Sequence, residues 1–582
     1  MPTELQEEQI LELLDSRRLT GPNILGQRPA AIIDVSLSHG EIDGFVGIWR
    51  ELAAKMLSLV GWDSSVLLER RIAGGVSLGF TAPLDALYAA TEINDWAYAE
   101  TAARLTAGSP TDRDIEATRL RRMIEQEANP KLVDLHDAAL AHGVPFLADD
   151  DYFSLGFGAK SRTWTMTSLP HPSQVAWEEL GSIPVGLVTG TNGKTTTVRL
   201  AASIVEAAGL SAGFCCTDGV FTAGKIREHG DYSGPGGARA VLRDPGVQCA
   251  ILETARGGLL RRGTAITHAD AAVITNIAAD HLDDFGVRDL ESLADIKWLV
   301  TSVLGTRGIA VLNADDPRLR SRSDDLECPV IWFSMDASSP MLARHHESGG
   351  RGWVHDDGCL VRLCGSERAA VIKSDQIPVT LQGAARHNIA NSLAAAALAD
   401  ALGLSLDSIA NGLRRFSADA NPGRANLFQI GGAHVLLDFA HNPDGVRALV
   451  DIADRFGNGR RLVLLGQAGD RGDDSIRELA QAAWSLSPDK VIIKELANYA
   501  RGRKPGEVAA ILRESLIASG AKASAIDHQL EEAAAVSKAL AWLEPGDLAI
   551  LLVHEDIEGV RKQLQRAEAG GLSGVTPDFS DF

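Results

Sequence analysis

Apolar residues in this chain fall into two recurring patterns: short β-branched runs bounded by glycine, and longer stretches with apolar positions three or four apart. From residue 184 to about 335 the two alternate. VGLVT (185–189), VQCAILET (247–254), AAVITNI (271–277), GIAVLNA (308–314) and PVIWFS (329–334) are strand-like, and LESLADIKWLVTSVL (290–304) is helical. Such alternation predicts a parallel sheet covered by helices on both faces. Residues 336–380 read as a turn-rich β insertion, followed by an Ala-rich helix, IANSLAAAALADALGL (389–404). A second strand–helix series follows Pro422, with HVLLDFA (434–440), RLVLLGQ (461–467), KVIIKE (490–495) and DLAILLVHE (547–555) as strands. The first 170 residues mix alternating segments such as AAIIDVSL (30–37) with helical ones such as 83–105. The expected fold class is α/β and multidomain: an α+β N-terminal domain (1–170), a P-loop parallel-sheet central domain (171–420), a Rossmann-like C-terminal domain (421–570) and a flexible tail (571–582).

Length agrees with that division, since 582 residues make roughly three to five domains. A formal charge of −21 argues against a broad nucleic-acid-tracking surface, although it leaves room for a local anion pocket. The start, MPTELQEEQILELLD, is polar and acidic, and no uninterrupted apolar stretch reaches 18 residues. A cytoplasmic protein, with no membrane and no nucleic-acid partner, is expected. Its six cysteines (Cys215, Cys216, Cys249, Cys328, Cys359 and Cys364) lack C-x-x-C spacing and are expected to be reduced strand residues.

Candidate chemistry centres on VGLVTGTNGKTTTVRL (185–200), which sets Gly190, Gly193, Lys194 and Thr195 between an apolar strand and a helix. Glycines let the backbone aim N–H groups at phosphate oxygens, and the helix N-terminus adds partial positive charge. Lys194 would neutralise the outer phosphates and Thr195 would put a hydroxyl on magnesium. The spacing departs from G-x-x-x-x-G-K-[ST] because position 188 is Val. ATP or a close relative is the expected ligand. Glu253 and His281 both fall at the carboxyl ends of predicted strands, where ligands of open α/β sheets gather. With Thr195 they could hold two metal ions. Equally, Glu253 could cap a helix and His281 could bond within a loop.

TGTNGKTTT (189–197), Glu253, HLDDFGVRDLESLADIKWL (281–299), NADDP (313–317), ARHNIANSLAAAA (385–397), NPGR (421–424) and DFAHNP (438–443) together resemble the Mur ligase family in chain order. TDGVFTAGKI (217–226), GDYSGPGGARAVLRDP (230–245), ETARGGLLRRG (253–263) and RGRKPGE (501–507) resemble, more narrowly, the Mur-type half of cyanophycin synthetases. RRLTGPNIL (17–25) resembles the start of the N-terminal domain of those enzymes, and SLGFGAKSRTW (154–164) the edge of their ATP-grasp domain. Because the Mur-like core follows almost at once, the ATP-grasp domain is inferred to be missing. Alone, the chain is not expected to build a cyanophycin polymer.

The resemblance implies an ATP-dependent ligase that forms an acyl phosphate and joins it to an amine, with arginine onto an aspartyl or small peptide acid as the leading pair. It implies catalytic roles for Lys194, Glu253, His281, Lys297 and Arg424, and metal roles for Thr195, Glu253, His281 and Lys297, the last as a carbamate. It implies Mg2+, as two ions, alongside ATP. Nucleotide contacts fall on Gly190, Thr191, Asn192, Gly193, Thr196, Asn313, His387, Asn388, Asn391, Arg424, Asp438 and His441. Ser233, Gly234, Arg256 and Arg261 are candidates for the acid, and Arg501, Arg503 and Glu507 for the amine. The alternatives are a folylpolyglutamate or γ-glutamyl ligase, disfavoured by GDYSGP and ETARGG, and a non-catalytic nucleotide-binding scaffold. A homo-oligomer is expected, with a separate enzyme supplying or using the product.

Overall fold

A computed structural model of the chain describes residues 11–72, 74–106, 108–280, 287, 289–457 and 459–570. Among these, four sheets organise the molecule. The first is antiparallel, with strands Leu11–Leu19, Ala30–Leu37, Gly75–Thr81 and Leu67–Ile72 in spatial order. Helices Ile42–Leu59 and Leu87–Leu105 cover its inner face, packing Phe45, Trp49 and Trp96 against Ile33, Leu78 and Phe80. A small antiparallel sheet, Phe146–Ala148, Tyr152–Leu155 and Arg162–Thr165, comes next.

The central sheet has eleven strands. Its core is parallel: Ala212–Cys216, Cys249–Glu253, Val185–Thr189, Ala271–Ile274, Ile309–Asn313, Val330–Ser334 and Arg351–Asp356, in that spatial order. Antiparallel strands extend both edges. Cys359–Cys364 and Glu367–Lys373 belong to the segment 336–380, so the turn-rich stretch is a continuation of the sheet and not a separate insertion. Val185–Thr189 is buried at all five positions, as a strand covered on both faces must be. On one face it packs against helices Lys194–Ala207 and Arg386–Ala401; Leu293 and Ile296, from helix Leu290–Trp298, belong to the core on the other. The chain leaves this strand for one side of the sheet and later returns to the other, so the strand order reverses beside it. Open α/β sheets form their ligand crevices at the carboxyl edge of such a point.

The C-terminal sheet has six strands, in the order Asn426–Ile430, Ala433–Asp438, Leu548–Leu552, Arg461–Leu465, Lys490–Lys494 and Ile526–Gln529, all parallel except the first. Hydrogen bonds join it to the central domain. Asn192 and Asn442 exchange amide bonds at 2.9 and 3.3 Å, and Asn421 Nδ2 donates to Thr196 Oγ1 at 3.2 Å. The N-terminal region packs directly on the central domain: Arg17 Nε donates to Leu260 O at 3.1 Å, Thr264 N to Pro22 O at 2.8 Å, and Leu147 and Phe157 enter the central core. All six cysteines are free, four of them buried. No helix among the described residues is long and apolar enough to cross a membrane.

Candidate functional site

The loop after Val185–Thr189 turns on glycine. Gly190 has φ +147° and Gly193 φ +83°; a Cβ on the first would lie 1.8 Å from Thr275 Oγ1 and on the second 2.1 Å from Asn391 Oδ1. The amides of Thr191 and Asn192 are used within the protein, donating to Asn276 O and Asn276 Oδ1 at 2.9 Å each. The amides that open the helix, Lys194 to Thr196, have no intrahelical partner and are the ones left to meet an anion. Of the N–H groups that the sequence reading aimed at phosphate, two are thus engaged within the protein.

These residues line a cavity of 420 Å³. It gathers nearly the whole set of nucleotide candidates: Thr191, Asn192, Gly193, Lys194, Thr195 and Thr196 from the loop; Asn313, His387, Asn388 and Asn391 from the central domain; Arg424, Asp438 and His441 from the C-terminal side. Gly190 stands behind the wall, its carbonyl taken by Lys297 Nζ at 2.7 Å. Asn388 donates to Val379 O at 2.8 Å and accepts from Asn391 at 3.1 Å, so this pair is fixed before any ligand arrives. Asp438 accepts from the amides of Ala425 and Ala440 at 2.7 Å each, which shapes the turn carrying Arg424. Arg424 lies over the Phe439 ring at 4.3 Å. His387 bonds Ala448 O through Nδ1, and burial lowers its pKa.

Glu253 is 1% exposed. Thr195 Oγ1 donates to its Oε2 at 2.8 Å, and its Oε1 has no hydrogen-bond partner. Burial raises its pKa, with Lys194 opposing the shift. A buried carboxylate oxygen without a donor, beside a hydroxyl and open to a phosphate-sized cavity, fits a hard divalent cation whose other ligands are phosphate and water. Lys297 is buried, and burial with Lys194 nearby drives its pKa well below the ordinary lysine value. His281 lies outside the described residues. Among the described residues no group of three or more His, Cys, Asp or Glu side chains could hold a metal. The hydroxyl oxygens beside Glu253 in this cavity are those of Thr195 and Thr217, which lie 3.0 Å apart.

A second cavity of 720 Å³ opens on the other side of Lys194 and Phe439, both of which line the two spaces. Ser233, Gly234, Arg256, Arg261 and Lys297 form its central-domain wall; Asp470, Arg471, Tyr499, Arg501 and His554 form the facing one. Ser233 is held by Asp231, which accepts from its Oγ at 2.6 Å. Arg501 pairs with Asp470. Arg503 and Glu507 do not line the cavity. Arg503 donates to Gly469 O at 3.0 Å, to Arg471 O at 2.8 Å and to Asp473 at 2.7 Å, and pairs with Glu507 at 2.8 Å, so it braces the loop that presents Asp470 and Arg471. Asp280, from the central domain, meets His441 at 3.4 Å and Arg471 at 3.2 Å across the domain boundary.

Sequence reasoning did not single out Thr217, Phe439, Asp470, Arg471 or His554. Their available signal was position: Phe439 and His554 each follow a C-terminal-domain strand by one or two residues, and Asp470 and Arg471 sit in the glycine-bounded GDRGDD after another.

Residues 188–399 match the Mur ligase middle domain and residues 423–552 the Mur ligase glutamate ligase domain. The chain is 39% identical over 389 residues to a cyanophycin synthetase of Synechocystis sp., an alignment covering 66% of this chain and 44% of that protein. It is 30% identical over 314 residues to the UDP-N-acetylmuramoyl-L-alanyl-D-glutamate–2,6-diaminopimelate ligase of Geobacillus thermodenitrificans, covering 51% and 59%. The match therefore spans less than half the length of the cyanophycin synthetase. Among solved structures, a bifunctional folylpolyglutamate synthase/dihydrofolate synthase with Mn, AMPPNP and L-glutamate bound aligns at 21% identity and a TM-score of 0.48, over 66% of this chain and 89% of that one.

Proposed function

This chain belongs to the Mur ligase family through its middle and C-terminal domains, and from that premise we propose that it joins a carboxylic acid to an amino acid at the expense of ATP, with arginine and an aspartyl or small peptide acid as substrates. One observation carries the reading. A cavity with the features of a nucleotide site and a second cavity walled by guanidinium groups meet at one ammonium, Lys194. That is the position at which a terminal phosphoryl group and a substrate carboxylate would have to meet.

In this reading the helix amides and Lys194 hold the phosphate chain and spread the charge that develops on phosphoryl transfer. Thr195 and Glu253 Oε1, with His281, would hold Mg2+, which when bound supplies further neutralisation of phosphate charge. Arg256 and Arg261 would grip the acid, since guanidinium groups bind carboxylates bidentately. Asn313, His387, Asn388 and Asn391 would receive the nucleoside, and Arg424, Asp438 and His441 would approach from the C-terminal domain. Closure of that domain excludes water from the acyl phosphate. Arg501 and the loop braced by Arg503 and Glu507 would position the amine. Burial disfavours the ammonium form of Lys297, and because a neutral amine adds carbon dioxide with loss of a proton, Lys297 would be suited to become a carbamate that binds a second ion. A cytoplasmic homo-oligomer with boundaries near residues 170 and 420 completes the proposal.

The test is mass spectrometry of products from ATP, arginine and a panel of aspartyl compounds, with phosphate release followed in parallel. Phosphate release that requires both an acid and an amine, with an amide product, is expected. Hydrolysis indifferent to both would refute the ligase reading and leave a nucleotide-binding scaffold.

A further inference from the structure

Behind Phe439 lies a charged cluster that the proposed reaction does not use. Lys494, at the end of its strand, and Glu532, at the start of helix Glu532–Trp542, form an ion pair that is almost fully buried. Glu532 also accepts three successive amides, from His554 at 2.8 Å, Glu555 at 3.1 Å and Asp556 at 2.9 Å. One carboxylate thus fixes the turn after strand Leu548–Leu552. Charges so deep persist only when paired and hydrogen-bonded; here the carboxylate takes the ammonium and three amides, and the ammonium meets Glu532 and His554.

The turn presents His554 between two demands that agree. Ala440 O, 3.2 Å from Nε2, can only accept, and the Lys494 ammonium, 3.4 Å from Nδ1, can only donate. Ala440 O requires a proton on Nε2 and the ammonium requires none on Nδ1, so together they select the neutral tautomer protonated on Nε2. Burial and the nearby Lys494 charge lower the His554 pKa strongly, which favours the same neutral ring. The imidazole edge meets the Phe439 ring at 5.2 Å and 65°, while Arg424 covers Phe439 at 4.3 Å. Phe439 lines both cavities, and His554 lines the second. The same turn reaches the amine side too, because Glu555 Oε1 accepts from Asn498 N at 3.1 Å, in the loop that carries Tyr499 and Arg501.

We propose that His554, held by the buried Lys494–Glu532 pair, is a positioning residue that fixes Phe439 and the Ala440 carbonyl as the partition between the nucleotide cavity and the amine-binding cavity. Both of its ring nitrogens are engaged within the protein, so it acts through Phe439 and Ala440. Its role is to keep the partition in register, and its effect on turnover rests on the ligase reading, whereas its tautomer and contacts do not.

Two measurements on the full chain separate those parts. Long-range 15N–1H spectra, with the His554 signals identified by their loss in His554→Gln, should show a neutral ring protonated on Nε2 at pH 7. A proton on Nδ1, or a doubly protonated ring, overturns the proposal. In the amide-forming assay with L-arginine as the amine, His554→Leu should raise the KM for arginine and the KM for ATP together, each about tenfold, the scale of one lost buried hydrogen bond, because Phe439 lines both cavities and Ala440 the nucleotide one. His554→Gln, which can still donate to Ala440 O, should recover most of the loss. Unchanged KM values for arginine and ATP, a loss confined to one of them, or a Gln variant as impaired as Leu overturns it. A wild-type chain that forms no amide removes the ligase reading, and the position of the His554 proton then decides the proposal alone.

Discussion

Substituting Gly193 by alanine measures how much of the phosphate loop depends on a backbone that only glycine adopts easily. At φ +83° a residue with a Cβ pays about 1–2 kcal/mol. The added Cβ would also lie 2.1 Å from Asn391 Oδ1, so Asn391 must move, and its 3.1 Å bond to Asn388 is lost at about 1 kcal/mol. The total is about 2–3 kcal/mol, or roughly 30- to 140-fold in affinity if it is expressed in binding. It should be expressed there, because the loop escapes the strain only by leaving the geometry that aims the helix amides at the cavity. Gly209→Ala is the control: its φ is +78°, and nothing lies within 4 Å of the new methyl, so it pays the backbone cost without the clash and far from the site. Calorimetry with Mg·ATP and thermal melting of both variants give the answer. Gly193→Ala should lose most of its nucleotide affinity, while Gly209→Ala binds as wild type and melts lower. Equal binding by Gly193→Ala, or equal loss in the control, would refute the argument.

Lys194→Ala should abolish amide formation with melting little changed, since Lys194 Nζ bonds Thr191 O in the fold and is not a core contact; wild-type turnover would overturn that assignment. Glu253→Gln should abolish metal-dependent nucleotide binding, and at pH 7 it should melt at or above the wild-type temperature. The sign follows from the raised folded pKa: the buried carboxylate costs stability above its unfolded pKa, and protonation relieves that cost as pH falls, so the melting gap should close toward acid pH. Glu532→Gln leaves the Lys494 ammonium buried without its counter-charge and should destabilise the fold by about 3–5 kcal/mol in denaturant titrations. Arg199 donates to Ala420 O at 2.6 Å and to Asp218 at 2.8 Å, tying the interdomain segment to the phosphate-loop helix. Arg199→Met should speed proteolysis within 417–424, and an unchanged cleavage rate would show that the tie is dispensable.

What the sequence determined by itself was local and periodic. The alternation of apolar runs and helical stretches dictates five of the seven parallel strands of the central sheet and four of the six strands of the C-terminal one, because a strand buried on both faces leaves little choice of composition. The glycines at 190 and 193, with Lys194 and Thr195 at a strand–helix junction, announce phosphate chemistry for the same local reason. Tertiary structure decided what depends on residues far apart in the chain. It turned 336–380 into the far edge of the central sheet, engaged the amides of Thr191 and Asn192 with Asn276, and set Arg503 and Glu507 outside the cavity, bracing a loop. It also brought Phe439, Asp470, Arg471 and His554 to one wall. Periodicity reports which face of an element is buried, whereas a shared cavity depends on how two sheets present their carboxyl edges to each other, and no run of neighbouring residues encodes that.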